Sequence, residues 1–437
     1  MKMNITQAKI RILLNDLLSI PFILAVALVA RVTAALIVEY LAQNRGAICL
    51  FGDSSIYWQY GQKIAHHTTY VVYQWDVPYY SLRTPGYPAW LAGFMFLFGE
   101  LTWPVRLGQA ALGTLSIYWL YQLSLECGFS TTSARYACTL AALDPFQILN
   151  GSFILTEAVF TPVLIFFLLI WIRIWNRLKT IETKFTALFS LGFLGFLQGL
   201  LALIRPAWGP FLPILMMLQW IWFTNQKKKG FSGIPTILVP TLILLGWATI
   251  MMPWGLRNLS RIGRPALGGT WGGASLYDAV RPGADGSSDM SFVAEPENRK
   301  RSETEQDDYW KAISYRSIQE NPVRILALAG QKLSLFWSPW PHQSMKRSET
   351  VRVISGVIVI PVWILSFLGM IRLGKTRKVS LILFLPLLFT MTEHMIFVGS
   401  MRYRIAVFLP VFVFAGSGLE WMITQLKKNQ DFYSAKS

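Results

Sequence analysis

The chain has 437 residues, of which 53% are hydrophobic and only 14% charged, with a mean hydropathy of +0.42. Soluble domains carry about 25% charged residues, so most of this chain is solvated by lipid. The formal net charge of +17 does not point to nucleic acid, because the cytoplasmic loops of membrane proteins collect Lys and Arg.

Apolar runs long enough to cross about 30 Å of hydrocarbon as helices lie at 17–41, 104–125, 132–149, 158–175, 185–204, 207–223, 232–252, 351–371, 379–397 and 403–424. The first follows Lys2, Lys9 and Arg11 and has no small-residue cleavage site, so it reads as a span and not a signal peptide. The N-terminus, Arg173–Lys184, Lys227–Lys229, Arg372–Lys378 and Lys427–Lys428 are all basic. They share one side if the chain makes ten spans with both termini in the cytoplasm. Residues 42–103, 150–157, 254–350 and 398–402 then lie outside. The predicted divisions are a cytoplasmic N-terminus 1–16, a seven-span module 17–252, a large outer loop 253–350, three C-terminal spans 351–424 and a cytoplasmic tail 425–437. The fold class is an all-α polytopic protein of a bacterial inner membrane.

Residues 86–98 are apolar but only about 20 Å long as a helix, and a span there would turn every later basic cluster outward. They read as an outer interfacial helix. In the first outer loop, Asp53 fits the cap of a helix running to about residue 66, followed by the aromatic residues Tyr57, Trp58 and Tyr60. In the large loop, 262–305 reads as irregular. Asn321-Pro322 starts a helix to 337. Cys49, Cys127 and Cys138 form no CxxC, so neither a disulfide framework nor structural zinc is expected.

Outer segments should be poor in cations, yet Arg83, Arg205, Arg257, Arg402 and Arg404 all map to one leaflet boundary. Singly, each fits snorkelling to lipid headgroups. As a set they suit a lipid phosphate or pyrophosphate. Asp53 and Glu157 are the acids near the same face. Each also fits a local role, Asp53 as a helix cap and Glu157 as a first-turn acid after a Thr156 cap. Together with the arginines they make a base beside an anion cradle. Arg31 and Asp144 lie inside spans, where charge is paired or functional. His394 is a candidate proton carrier or a structural hydrogen-bonding residue. No P-loop, GxGxxG after a strand, GxSxG or HExxH occurs, and no cytoplasmic segment is long enough for a nucleotide-binding domain.

The order Gly52-Asp53, Arg83-Thr84-Pro85-Gly86-Tyr87-Pro88, Leu155-Thr156-Glu157, Arg205-Pro206, Pro253-Trp254 with Arg257-Asn258, and Arg402-Tyr403-Arg404 resembles the GT-C membrane glycosyltransferases. The nearest branch is the bacterial one similar to protein O-mannosyltransferases and the lipid A aminoarabinose transferase. That family also places seven spans before its large outer loop. The resemblance implies a polyprenyl-phosphate-linked sugar as donor, transfer on the periplasmic face, and an acceptor glycan, lipid or protein. It implies Asp53 as the first-loop catalytic acid, Glu157 as a second acid near the sugar, and Arg83 and Tyr87 in a substrate-binding turn. Arg205, Arg257, Arg402 and Arg404 are the candidate phosphate contacts, with Arg31 and His394 as further candidates. No cofactor is required, although two acids could hold a divalent metal. The competing readings are a flippase or transporter of lipid-linked saccharides, a polymerase or ligase of the same, and a noncatalytic scaffold. A transporter predicts internal repeats and broken helices at mid-membrane, and the sequence shows no repeat.

Overall fold

The computed structural model describes residues 19–46, 52–177, 184–228, 234–340, 349–373 and 375–434. The basic N-terminus, Cys49, Lys179, Lys229 and His342 fall outside these. So do the side chains of Lys184, Lys375, Arg377 and Lys378.

The protein is an all-α polytopic membrane protein. Among the described residues, six helical stretches are long and apolar enough to span: Ile20–Asn44, Glu157–Arg177, Phe185–Ile204, Leu238–Ile262, Arg352–Ile371 and Met401–Phe432. These correspond to six of the predicted runs. The other four are helical but differ in ways the chemistry explains. Thr102–Glu126 is continuous, but buries Arg106, Gln109, Ser116 and Ser124 against its neighbours. The 207–223 run becomes a short 3-10 turn, Pro206–Trp208, then Phe211–Lys228. The 379–397 run is a 3-10 segment, Lys375–Phe384, followed by the short helix Leu385–Ile396. The 132–149 run is broken into Thr131–Leu143 and Pro145–Ser152. Asp144-Pro145 causes the break, because a residue before proline is pushed out of the α region, and Asp144 is extended (φ −67°, ψ 114°). Its carboxylate then accepts the Gln147 amide at 2.8 Å, capping the second helix.

Glu157–Arg177, the most buried of the six, is the centre of the bundle. It packs on Thr102–Glu126 and Lys184–Ile204 through an apolar core that includes Leu164, Phe167, Leu168, Trp171 and Phe211. Its first residue, Glu157, is thereby fixed at one end of the core. The helix Ile20–Asn44 leans on Thr102–Glu126, and Arg106 holds Glu39 at 2.5 Å across that interface.

The segments predicted to lie outside carry more structure than the sequence suggests. Gly52–Ala65 is the expected helix, but Asp53 sits in its first turn, not before it, which frees the carboxylate from capping. A hairpin pairs Val72–Gln74 with Val77–Tyr79. Its turn residues Trp75 and Asp76 have φ of 49° and 67°, the primed geometry that suits strand twist. Trp-Asp lacks the usual Asn-Gly signature, so the hairpin was invisible beforehand. Gly86–Phe98 is helical. A Cβ on Gly86 would sit 2.5 Å from the Leu203 carbonyl carbon, so glycine is required where this helix meets the end of Lys184–Ile204.

The segment 262–305 is not irregular throughout. It contains the helix Gly272–Val280 and 3-10 turns at Ser291–Ala294 and Pro296–Lys300. These fold against Glu303–Glu320 around Ala274, Phe292, Val293 and Trp310. Asp307 ties them by accepting the Gly273 amide at 2.7 Å. The expected helix from Asn321-Pro322 is present as Pro322–Phe336.

Candidate active site

Five of the residues singled out in the sequence converge. Asp53 comes from the helix Gly52–Ala65, Arg83 from the turn after the hairpin, and Glu157 from the start of the central helix. Arg205 ends the next span, and Arg402 opens the last one. The Arg402 Nε donates to Glu157 Oε1 at 2.6 Å and its Nη2 to Oε2 at 3.2 Å, a two-pronged pair that fixes the guanidinium plane. Arg205 Nη1 lies 3.4 Å from the same Oε1. The remaining nitrogen of Arg402 lies 3.7 Å from Asp53 Oδ2, while Arg83 donates to Asp53 Oδ1 at 3.1 Å. Two carboxylates and three guanidiniums thus form one chain, Arg83–Asp53–Arg402–Glu157–Arg205.

The two acids are not equivalent. The Glu157 side chain is 1% exposed and Asp53 is 43% exposed. Glu157 also accepts the Thr156 hydroxyl at 3.1 Å, so its oxygens are consumed in holding cations. Asp53 keeps accessible surface for a second partner. Net charge across the five is one positive, a deficit that an incoming anion would fill.

Aromatic residues wall the cluster. Tyr57 stands one helical turn after Asp53, and the charges of Arg83, Asp53, Glu157 and Arg402 all act on its hydroxyl. Burial raises its pKa, with Arg83 opposing, so it remains a neutral hydrogen-bond donor. Arg83 packs over Tyr57 at 5.8 Å and Trp271 at 5.3 Å. Burial pulls the Arg83 pKa down, but its surroundings, the Asp53 carboxylate among them, outweigh it and leave the value raised. Arg205 packs over Tyr403 at 5.0 Å, and the Tyr403 ring stacks on His394 at 3.9 Å.

The other predicted residues lie elsewhere or face away. Tyr87 is fully buried and donates to Gln109 Oε1 at 3.2 Å. Gln109 in turn donates to the carbonyls of Gly151 and Phe153, which lead to Glu157. Tyr87 therefore supports the site from below. Arg257 donates to the carbonyls of Tyr80 and Tyr70 at 2.6 and 2.7 Å. Arg404 donates to those of Phe336 and Ser338 at 2.6 and 2.9 Å. Arg31 reaches the carbonyls of Ala27, Ala141 and Ala142, the latter two at the broken helix end. His394 Nδ1 bonds Val398 O at 2.8 Å and touches neither acid.

Sequence reasoning missed Tyr57 and Glu303. Asp53 and Tyr57 are spaced i, i+4, which puts both on one helix face; that signal was available. Glu303 is a long-range clamp. Its buried carboxylate accepts the amides of Tyr80 and Ser81 at 3.0 and 3.1 Å and the Thr270 hydroxyl at 2.9 Å, fixing the segment that delivers Arg83. Gly269 (φ +82°) lets the loop pass Ser81, where a Cβ would lie 2.6 Å from its carbonyl oxygen. No group of three or more His, Cys, Asp or Glu able to hold a metal ion exists among the described residues. The Arg402 guanidinium lies between Asp53 and Glu157.

No family model matches the sequence, and no curated protein matches it significantly. Solved structures do. The apo oligosaccharyltransferase of Archaeoglobus fulgidus aligns over 95% of this chain and 52% of its own, at 16% identity and a TM-score of 0.53. The archaeal oligosaccharyltransferase AglB from the same organism, in complex with an inhibitory peptide and a dolichol-phosphate, aligns over 94% and 52% at 16% identity, TM-score 0.51. The chain has the GT-C fold. It spans about half the length of those oligosaccharyltransferase chains. ArnT from Cupriavidus metallidurans, bound to undecaprenyl phosphate, aligns over 90% of this chain and 77% of its own at 14% identity, with a TM-score of 0.42.

Proposed function

We propose that this GT-C protein is a glycosyltransferase that moves a sugar from a polyprenyl-phosphate donor to an acceptor hydroxyl, on the periplasmic side of a bacterial inner membrane. The observation that carries the proposal is the linked set Arg83–Asp53–Arg402–Glu157–Arg205, built from five separate elements. The peptide and dolichol-phosphate bound to the archaeal structure support a lipid-phosphate donor.

In this reading Glu157 positions Arg402 and Arg205, and Asp53 acts as base. The acceptor oxygen attacks the anomeric carbon, its proton passes to Asp53, and the bond from the anomeric carbon to the phosphate oxygen breaks. The departing lipid phosphate takes the electron pair. Arg83 and Arg402 neutralise the charge that develops on it. A single displacement inverts the anomeric centre. While the donor is absent, the same arginines pair with Asp53. When the phosphate arrives it competes for them and frees the Asp53 oxygens for the acceptor hydroxyl. The large outer loop covers the site and limits hydrolysis.

The break at Asp144 is the feature that a transporter reading would use. Its polar ends are already matched by Arg31 and the Gln147 amide, so it offers no vacated ion site, and transfer is the better reading. The deciding experiment is Asp53→Asn in purified protein given a panel of polyprenyl-phosphate sugars. Release of lipid phosphate should fall by about 100-fold or more with donor binding retained. Full activity in that variant removes Asp53 as base.

A further inference from the structure

Apart from the carboxylate cluster, the outer face carries a recess of about 370 Å³ between the hairpin, the end of the Leu238–Ile262 span and the turn 299–304. Arg261, Arg299, Lys300 and Arg301 line it, against the acids Asp76 and Glu303. Glu303 is spent, since its two oxygens accept three inward hydrogen bonds. Arg301 is held by stacking on Tyr309 at 3.8 Å and by Asn298 Oδ1 at 3.1 Å. Among the described residues, Lys300 pairs only with the solvent-exposed Glu297, and Arg299 reaches only the Ala294 carbonyl, at 3.3 Å. Arg261 makes no hydrogen bond or ion pair within the described residues. The 18-residue helix Glu303–Glu320 also begins in the wall of the recess, its first turn closed by the Ser302–Glu305 capping box.

We propose that this recess binds a phosphoryl group. A concave site with four cations and one uncommitted acid favours a multiply charged anion over a neutral sugar. Guanidiniums suit phosphate oxygens better than isolated carboxylates scattered in solvent. Its volume also accommodates the glycerol or sugar that carries the phosphate. Two sources have this chemistry: the headgroup of an anionic lipid beside the span end, or a phosphate on a soluble saccharide that serves as acceptor. The recess is coupled to the reaction centre by a short path. Tyr80 in its wall precedes Arg83 by three residues, at most about 10 Å of extended chain, and Glu303 clamps the segment between them. The phosphoryl site stands whether or not glycosyl transfer is the reaction, because its test reads binding alone.

Full-length protein in phosphatidylcholine nanodiscs is titrated with glucose 6-phosphate, with protein-free nanodiscs as the blank and excess glucose as the competitor, reading phosphorus NMR line broadening of the sugar phosphate. Parallel discs containing phosphatidylglycerol are stripped, and retained lipid is counted by native mass spectrometry. The double variant Arg261→Gln/Lys300→Gln should weaken whichever probe binds by about tenfold. Asp76→Asn removes the uncommitted acid and should tighten it by about twofold, a gain that misfolding cannot mimic. Broadening that is lost in the double variant assigns the site to a soluble phosphate. Phosphatidylglycerol retention that is lost in it assigns the site to lipid. If neither probe binds the native protein, or both bind all variants alike, the recess is not a phosphoryl site.

Discussion

Arg83, Arg205 and Arg402 face carboxylates, whereas Arg31, Arg257 and Arg404 face main-chain carbonyls. The residue type is the same, yet the tasks differ. In an apolar surround, a carbonyl at a helix end has no water to turn to, and a long side chain with five donors is an efficient way to satisfy it. Such an arginine has its donors committed before any ligand arrives. An arginine on a carboxylate holds a partner that a phosphate can replace with little change in geometry. Among these six, the partner atom and not the arginine separates the candidate reaction centre from its support, whereas an arginine–carboxylate pair such as Arg106–Glu39 only joins two helices.

The largest effect expected from this contrast is at Arg402. Arg402→Lys keeps the charge but cannot hold both oxygens of Glu157 while reaching Asp53. Transfer should fall by about 100-fold or more, with the unfolding midpoint changed by only a few degrees. If Arg402→Lys retains native turnover, the two-pronged geometry is irrelevant and the division by partner atom fails. Arg404→Gln should behave the opposite way. It leaves the Phe336 and Ser338 carbonyls short of a donor inside the protein, costing about 2–3 kcal/mol. The fraction that remains folded should turn over normally, which a thermal-unfolding series beside single-turnover rates would read. A turnover defect in well-folded Arg404→Gln would move that residue into the reactive group.

The sequence could not make this division, and the reason is physical. Arg402 and Arg404 are two residues apart on one helix, about 200° around it, so they face different neighbours; only the packing of Pro322–Phe336 and Glu157–Arg177 says which neighbours those are. Hydropathy located the helices because lipid leaves each backbone one solution. It overstated continuity at Asp144-Pro145, although that dipeptide signalled the break. It also missed the hairpin at 72–79, whose Trp75-Asp76 turn gains its conformation from pairing and from Tyr79 reaching Gln306 at 2.6 Å. Asp53 and Glu157 were legible because each adjoins a predicted span end. Glu303 was not, because its partners Tyr80, Ser81 and Thr270 are brought to it by the folded loop.

The smallest expected effect probes the same contrast with an ammonium in place of a guanidinium. Lys332 is buried and donates to the Ile396 carbonyl at 2.7 Å, so it caps a helix end as Arg404 does. Unlike arginine it titrates within reach: burial lowers its pKa to about 8 from 10.5, with Asp278 opposing. A base with a depressed folded-state pKa binds fewer protons folded than unfolded between those two values, so stability rises with pH across that window. Tyr79 works against it higher up. Burial raises its pKa to about 12, and above about pH 10 the unfolded chain ionises first, which lowers stability. The unfolding midpoint should therefore climb from about pH 8 to 10 and then turn down. Lys332→Met should flatten the climb and leave the downturn. If the climb persists in Lys332→Met, the ammonium does not carry it, and capping by lysine costs the fold no more than capping by arginine.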